Sequence, residues 1–253
     1  MTDILSIEAM SAYLNPQISP YIYTSLASTN DTAKQLQNPA HGTVIIADYQ
    51  TAGRGRYGRK FFSPPGCGIY MSMVLSGGSY THSLVTPMAA VAVCEAIEAT
   101  TDMMLQIKWV NDIFLNGRKI CGILTEAVSN ENGSYTIIGI GINFIPPPDG
   151  FPVEIEKTAG ALFDGKNSAS ITRNQLVAEI ANRLLVNKTN ETLLLAYKKR
   201  LMVLKKRVLV TAPDVDYEAL VLDLSPDGGL VVQKDDGEVT TITSGEINLT
   251  WMF

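Results

Sequence analysis

The chain has 253 residues, with 20 Lys and Arg against 25 Asp and Glu, a net charge of −5 and a pI near 5.1. That length builds one sizeable core, or one core and a small appendage, without disulfides, and the acidic balance argues against broad nucleic-acid binding, which needs a basic surface. Two histidines and three cysteines at 67, 94 and 121, with no C-x-x-C pair, argue against a His-rich metal centre, a cysteine zinc site and a disulfide framework, and suit a reducing cytoplasm.

Asp3 and Glu8 precede the first cation, Lys34, so the N-terminus lacks the basic region that opens a secretory signal. Asp31 supports the first turn of a helix capped by Ser28 or Thr29 and running towards Leu36. Residues 44–49 read as a strand, and after a glycine-rich loop residues 69–75 read as a second. No charged residue occurs over 61–94, a stretch longer than the ~20 residues of a membrane span. Pro64, Pro65, Gly66, Gly77, Gly78 and Pro87 break it into loop, buried strand, loop and buried helix. That helix is predicted to begin at a Thr86 cap with Pro87 in its first position and to turn Val91, Cys94 and Ile97 inward.

Residues 105–109 and 113–115 read as extended. Asn116-Gly117, between the latter and 119–126, is a tight-hairpin signal, and Asn132-Gly133 repeats it before a strand at 135–143. Pro146, Pro147 and Pro148 mark a loop. Thr172 with Gln175 forms a capping box for a helix with Leu176, Ile180 and Leu184 on one side, and a further helix covers 192–204. Short strands follow at 208–211, 218–224, 230–234, 239–242 and 247–249, separated by turn chemistry such as Pro226-Asp227-Gly228-Gly229. The order predicts an α+β domain over residues 1–204 and a small β-barrel over 205–253.

The loop Gly53-Arg54-Gly55-Arg56-Tyr57-Gly58-Arg59-Lys60 follows a strand and matches G-x-G-x-x-G. Pro64-Pro65 breaks any helix after it and no acid follows to hold a ribose, so a dinucleotide fingerprint fails. A P-loop fails too, because Arg59-Lys60 stands where Lys and then Ser or Thr would be required. What remains is four cations within seven residues, interleaved with glycines and without an acid among them. Such a run is commonly a solvated surface, but glycine lets backbone approach a ligand and arginine offers a planar fork to carboxylates and phosphates. Mutual repulsion predicts that residues 53–65 have no stable arrangement until anions arrive.

Together with Lys108-Trp109-Val110-Asn111-Asp112, Arg118-Lys119-Ile120-Cys121-Gly122-Ile123-Leu124, Gly139-Ile140-Gly141-Ile142-Asn143 and the closing Ser244-Gly245-Glu246-Ile247, this loop resembles the biotin protein ligases. The resemblance runs from Ser28-Thr29-Asn30 to Asn143 and more weakly to the C-terminal region. Phe61 stands where the family commonly has Trp, and Val110 where it commonly has Pro. The resemblance implies a mixed central β-sheet with helices, of the class II synthetase-like biotin/lipoate ligase fold, and a C-terminal barrel of SH3-like type. It implies ATP-dependent activation of biotin as biotinyl-5′-AMP, then transfer to a lysine of a biotin carboxyl carrier protein of the acetyl-CoA carboxylase type.

By the same resemblance Lys119, Arg54, Arg56 and Asp112 are catalytic, and Ser28, Thr29, Asn30, Gln50, Gly53, Gly55 and Gly122 join Arg54, Arg56 and Lys119 around biotin. Gly139 shares with Gly122 the task of leaving space for the ring system. Arg56, Arg59, Lys119 and Asn143 face ATP, and magnesium is expected with the nucleotide near Asp112 without being fixed by the protein. Read by themselves, Lys119 is an ordinary exposed hairpin lysine, Ser28-Thr29-Asn30 a helix cap and Trp109 core packing. The clusters at 198–200 and 205–207 read as solvated faces, the second also as a contact for an acidic carrier. Expected partners are biotin, ATP and the carrier, with no nucleic acid or membrane, and a homodimer is left open. The alternatives are a lipoate or octanoate ligase or transferase of the same fold and, from another class, a biotin-sensing repressor. The 27 residues before Ser28 are too few for a winged helix, so a short form is expected.

Overall fold

Period-two burial in the middle of the chain sets the architecture. In the computed structural model, which describes residues 3–76, 82–131, 133–165, 170–186, 188–211 and 216–249, β2 (Thr43–Gln50) sends Val44 and Ile46 to one face and Ile45 to the other. β3 (Gly68–Ser76) likewise divides Ile69, Met71 and Met73 from Val74, and β7 (Gly133–Asn143) divides Ile138, Ile140 and Ile142 from Ile137. With β1 (Ser19–Leu26), β4 (Gln106–Lys108), β5 (Asp112–Leu115) and β6 (Arg118–Asn130) they form a mixed sheet in the order β1-β2-β3-β7-β6-β5-β4. Only β1 and β2 pair in parallel. The first face packs on α3 (Val85–Thr100) and α4 (Arg173–Leu184), with α5 (Asn190–Arg200) against α3. The second carries α2 (Thr29–Gln35), whose Ala33 meets Ile45, Val74 and Ile137.

Most elements lie where the periodicity puts them. Ser28 caps α2 by accepting from the Asp31 N–H, and the Thr172–Gln175 capping box is formed. Asn116 (φ 51) and Gly117 (φ 76) supply the left-handed pair of the β5–β6 turn. Asn132 of the second hairpin signal lies outside the described residues, and Asn130 pairs with Gly133 across it.

Three readings change. α3 starts at Val85 behind a 3-10 turn at His82–Leu84, with Leu84 as a cap that offers no side-chain bond. Thr86 Oγ1 instead lies 2.6 Å from Thr125 Oγ1 of β6, and Pro87 sits third in the helix, where its missing N–H still breaks no intrahelical bond. Ala89, Ala90, Ala92 and Ala96 are buried along with Val91, Cys94 and Ile97, so α3 is a central helix rather than one with a single inner face. The segment His82–Thr100 is apolar enough to cross a membrane by composition, yet most of it is buried in this fold. α5 ends at Arg200 because the chain turns to the open edge of β4, where Met202 N–H donates to Ile107 O at 2.9 Å. The segment before Ser28, read without elements, contains α1 (Ile7–Ser11) and β1. β1 tolerates Pro20 because it is an edge strand.

β8 (Arg207–Thr211), β9 (Tyr217–Leu224), β10 (Leu230–Lys234), β11 (Val239–Ile242) and β12 (Glu246–Leu249) form an antiparallel sheet in the order β11-β10-β9-β8-β12, consistent with an SH3-like barrel. The basic clusters beside it are largely paired, Lys198 with Asp223, Arg200 with Glu98, and Arg207 with Glu218 and Asp235. Trp109 is core, as its composition suggested: it is 4% exposed, its Nε1–H donates to Gly228 O at 3.0 Å, and its peptide bond to Val110 is cis. Trp109→Phe removes the Nε1–H and part of the indole, orphaning that carbonyl and leaving a small void, and is expected to cost at least about 1–3 kcal/mol in urea unfolding. An unchanged midpoint would show that the bond contributes nothing to holding the two sheets together.

Candidate active site

The second face of the sheet opens into a cleft of about 610 Å³ walled by α2, the loop after β2, strands β4 to β7, residues 155–158 and β12. One end is a neutral hydrogen-bonding array built at the start of α2. Thr29 N–H and Oγ1–H both donate to Gln50 Oε1, at 2.9 and 3.2 Å, and Gln50 Nε2 donates to Ser63 Oγ at 2.9 Å. Ser72 Oγ lies 2.7 Å from Thr29 Oγ1 and 2.5 Å from Asn30 Oδ1, while Asn30 Nδ2 donates to Glu126 Oε2 at 2.7 Å. Ser28, Thr29, Asn30 and Ser72 are all buried, so each needs the partners it has. Glycines make the close approach: a Cβ on Gly139 would stand 2.2 Å from Asn30 Oδ1, and one on Gly141 2.4 Å from the Phe61 ring. The space expected beside Gly139 is therefore taken by the protein's own Asn30, whereas Gly122 borders Phe61 and Lys119.

The other end is cationic. Lys119 Nζ lies 2.7 Å from Asp112 Oδ1, Arg54 pairs with Asp31 at 2.5 Å and Glu126 at 3.2 Å, and Arg59 pairs with Glu246 at 2.6 Å. Arg56 donates to Asn111 Oδ1 at 3.1 Å, to Tyr57 OH at 2.9 Å and to Gly245 O at 3.3 Å. Two of the four cations in the loop that has no acid in its own sequence, Arg54 and Arg59, thus meet acids from α2, β6 and β12. The loop also has internal order, Gly55 N–H donating to Arg59 O at 2.7 Å and Phe61 N–H to Gly53 O at 2.9 Å. The premise that the loop's cations lack acids is corrected: the counter-charges of Arg54 and Arg59 come from positions 23, 72 and 187 residues away, invisible to local reading.

The sequence profile of the Biotin/lipoate A/B protein ligase family matches residues 22–143, and that of the Biotin protein ligase C terminal domain matches residues 203–249. The chain belongs to the biotin protein ligase family. It is 44% identical over 142 residues to the bifunctional ligase/repressor BirA of Bacillus spizizenii, a match covering 54% of this chain and 44% of that protein, so it spans less than half that relative's length. It is 32% identical over 160 residues to a biotin–acetyl-CoA-carboxylase ligase of Paracoccus denitrificans, covering 61% of this chain and 66% of that one. Among solved structures it resembles the biotin protein ligase from Aquifex aeolicus in complex with biotin and ATP, with a TM-score of 0.74, 27% identity, and 91% and 97% of the two chains covered.

Most of the family positions converge on the cleft: Ser28, Thr29, Asn30, Gln50, Arg54, Gly55, Arg56, Arg59, Asp112, Lys119, Gly122 and Gly139 all line it. Two do not. Gly53 packs beneath the wall, where a Cβ would stand 2.6 Å from both Phe61 O and Ser63 Oγ. Asn143 spends its amide on Gly160 O at 2.8 Å, and the segment it fixes runs along β6, with Lys119 N–H donating to Thr158 O and Gly160 N–H to Lys119 O, each at 2.8 Å. That segment carries Ile155, Lys157 and Thr158 of the cleft wall. Sequence reasoning missed Ser72, Lys108, Asn111, Glu126, Lys157, Glu246 and Asn248 as site residues. Ser72 alone carried a local signal, a short polar side chain inside the largely apolar run 69–75, where a buried polar group demands a partner.

Burial holds the Lys108 ammonium below the ordinary lysine range, with Asp112 opposing the shift and Lys119 adding to it. Glu126 goes the other way: burial opposes its ionisation, but hydrogen bonds from Lys34 and Asn30 and the charge of Arg54 outweigh it and hold the carboxyl below its usual value. A depressed carboxyl stabilises the fold above its unfolded pKa, about 4.3, and loses that contribution as pH falls through the folded value. Glu126→Gln is therefore expected to lower Tm at pH 7, with the gap to the parent closing below about pH 4; a gap that is independent of pH would contradict this. Gly139→Ala is expected to expel Asn30 from its seat and to reduce affinity for a ligand at the neutral end at least about tenfold, since Asn30 is pinned by short bonds and cannot swing aside cheaply. Calorimetric titration with biotin measures it.

Proposed function

We propose that the chain is an ATP-dependent biotin protein ligase, which activates biotin as biotinyl-5′-AMP and transfers the biotinyl group to a lysine of a biotin carboxyl carrier protein. One observation carries this reading: a single cleft joins a neutral amide-and-hydroxyl array to a cation-rich end, with Lys119 on the strand between them. The Aquifex relative's complex with biotin and ATP supports the same pair of ligands. In this assignment residues 1–204 are the catalytic unit and 205–253 the barrel.

The first step forms a bond between a biotin carboxylate oxygen and the α-phosphorus and breaks the bond from that phosphorus to pyrophosphate. Two like unit charges about 4 Å apart repel by roughly 4 kcal/mol at an effective dielectric of 20, so the approach needs cations in place beforehand. Ser28, Thr29, Asn30 and Gln50 hold the ureido ring. Arg54 and Arg56 receive the carboxylate and α-phosphate, Arg59 reaches the nucleotide, and Asp112 orients Lys119, whose ammonium bridges the reacting groups. In the second step the carrier lysine attacks the acyl carbon, and the bond from that carbon to the AMP oxygen breaks. Among the described residues no three His, Cys, Asp or Glu side chains gather to cage a metal, while Asp112 and Glu246 each line the cleft. Magnesium carried in on the phosphates would be touched by Asp112 or Glu246 and would neutralise phosphate charge. The three buried thiols suit a cytoplasmic setting, and sedimentation of the free protein tests for a homodimer.

Incubation with biotin, ATP, magnesium and a carrier domain should add one biotinyl group to the carrier by mass. Lipoate or octanoate accepted in place of biotin would move the protein to the sister activity. Lys119→Ala is expected to slow biotin-dependent pyrophosphate release about 10²- to 10³-fold, as for loss of one preorganised electrostatic contact, while transfer from supplied biotinyl-adenylate falls less. Lys119→Arg should restore little, since a planar fork places its charge differently. Near-normal release by the alanine variant would return Lys119 to an ordinary hairpin lysine.

A further inference from the structure

Lys119, Arg54 and Arg59 each face a carboxylate, and Lys60 and Lys157 are exposed to water. Lys108 has neither compensation. It is partly buried, lines the cleft, and takes part in no ion pair among the described residues. Its partner is the neutral amide of Asn248, whose Oδ1 accepts from Nζ at 2.8 Å across 140 residues of sequence. An ammonium removed from water and bonded only to an amide, with Asp112 and Glu246 acting on it from beyond ion-pair distance, keeps part of its desolvation cost, so an anion entering the cleft gains more from Lys108 than from a cation already paired. Position tells which anion. The sheet runs β7, β6, β5, β4 away from the neutral array, so Lys108 on β4 lies beyond Lys119 on β6, on the side where β12 brings Glu246 and Asn248.

We propose that Lys108, aimed by Asn248 of the C-terminal sheet, is a further phosphate-binding residue of the cleft, serving the phosphates that depart as pyrophosphate rather than biotin or the acyl-adenylate. The proposal rests on the ligase reading for the identity of the anion. Asn248 is the positioning residue: its amide oxygen holds the ammonium over the cleft without cancelling its charge, which a carboxylate there would do.

The test separates ligands. Lys108→Gln is expected to raise the KM for ATP and to weaken inhibition by pyrophosphate at least about tenfold, while the KM for biotin and transfer from supplied biotinyl-adenylate stay within about threefold, as for loss of a charge-assisted contact made only to the leaving group. Lys108→Arg should recover part of the loss. Asn248→Ala should shift the same constants in the same direction by less, and adding it to Lys108→Gln should change nothing further. Pyrophosphate constants within twofold of the parent in Lys108→Gln, or equal losses for biotin and adenylate transfer, would overturn the proposal. Should Lys108→Gln fail to fold, Asn248→Ala decides alone: unchanged ATP and pyrophosphate constants refute it. Calorimetric titration of the parent and variants with inorganic pyrophosphate keeps this outcome distinct from that of the ligase reading, because a parent that binds pyrophosphate through Lys108 and makes no adenylate refutes only the reaction.

Discussion

Crowding seven Lys and Arg side chains around one cleft sets its wall against itself, and the position of nearly every functional group reflects how that repulsion is offset. Asp112 stands against Lys119, Glu246 against Arg59, and Asp31 with Glu126 against Arg54, while Arg56 is held by an amide and a carbonyl. Pairs as exposed as these are worth little to the stability of the fold, about 0–1 kcal/mol each. That modest net value suits a binding site. A carboxylate that fixes a guanidinium at small cost can yield it to a substrate carboxylate or phosphate at small cost, and the cation is already near its working position when the exchange occurs.

The neutral end follows the opposite rule. Asn30 is buried with its amide oxygen on Ser72 and its amide nitrogen on Glu126, and Thr29 is fixed by Gln50. Buried polar groups of this kind are costly to displace, so the array is rigid where the cationic end is exchangeable. Glu126 touches both ends, accepting from Asn30 on one side and from Arg54 and Lys34 on the other. Those donors hold its carboxyl below the usual carboxylate range, and it couples the orientation of the amide array to the resting place of the arginine.

Strand periods, the Asn116-Gly117 turn, the Thr172 capping box and the C-terminal strands were legible because each depends on residues a few positions apart. The cleft residues Arg54, Arg56, Lys119 and Asp112 were legible by resemblance, since motif spacing is also local. What escaped was anything created by pairing distant segments. β1 hid behind Pro20 and an exposed tyrosine pattern that only an edge position explains, and the helix read over 192–204 stopped at Arg200 because the open edge of β4 draws the chain out of it. The loop at 53–60 read as unneutralised because its acids arrive from other elements, and Asn143 read as a ligand contact although its amide is used to fold the 155–160 segment back. Gly139 and Gly141 were visible as glycines, but not the side chains that need their missing Cβ atoms.

The C-terminal sheet enters the site through two adjacent residues. At the end of β4 successive side chains point to different sides of the chain, so Lys108 reaches Asn248 of β12 while Trp109 donates to Gly228 in the turn before β10. The sheet is therefore gripped from both sides of one short segment, and any rotation that lengthened one bond would strain the other. The turn at Gly245, with φ 122, a value open to glycine, then delivers its own carbonyl to Arg56 and the next side chain, Glu246, to Arg59. Arg59 thus has its acid, and Arg56 one of its three partners, only when this sheet is docked. The charge balance of the cleft, and with it the readiness of those arginines for an anion, depends on a segment about 190 residues away along the chain, which is a physical reason for the small C-terminal sheet to accompany the larger fold rather than merely decorate it.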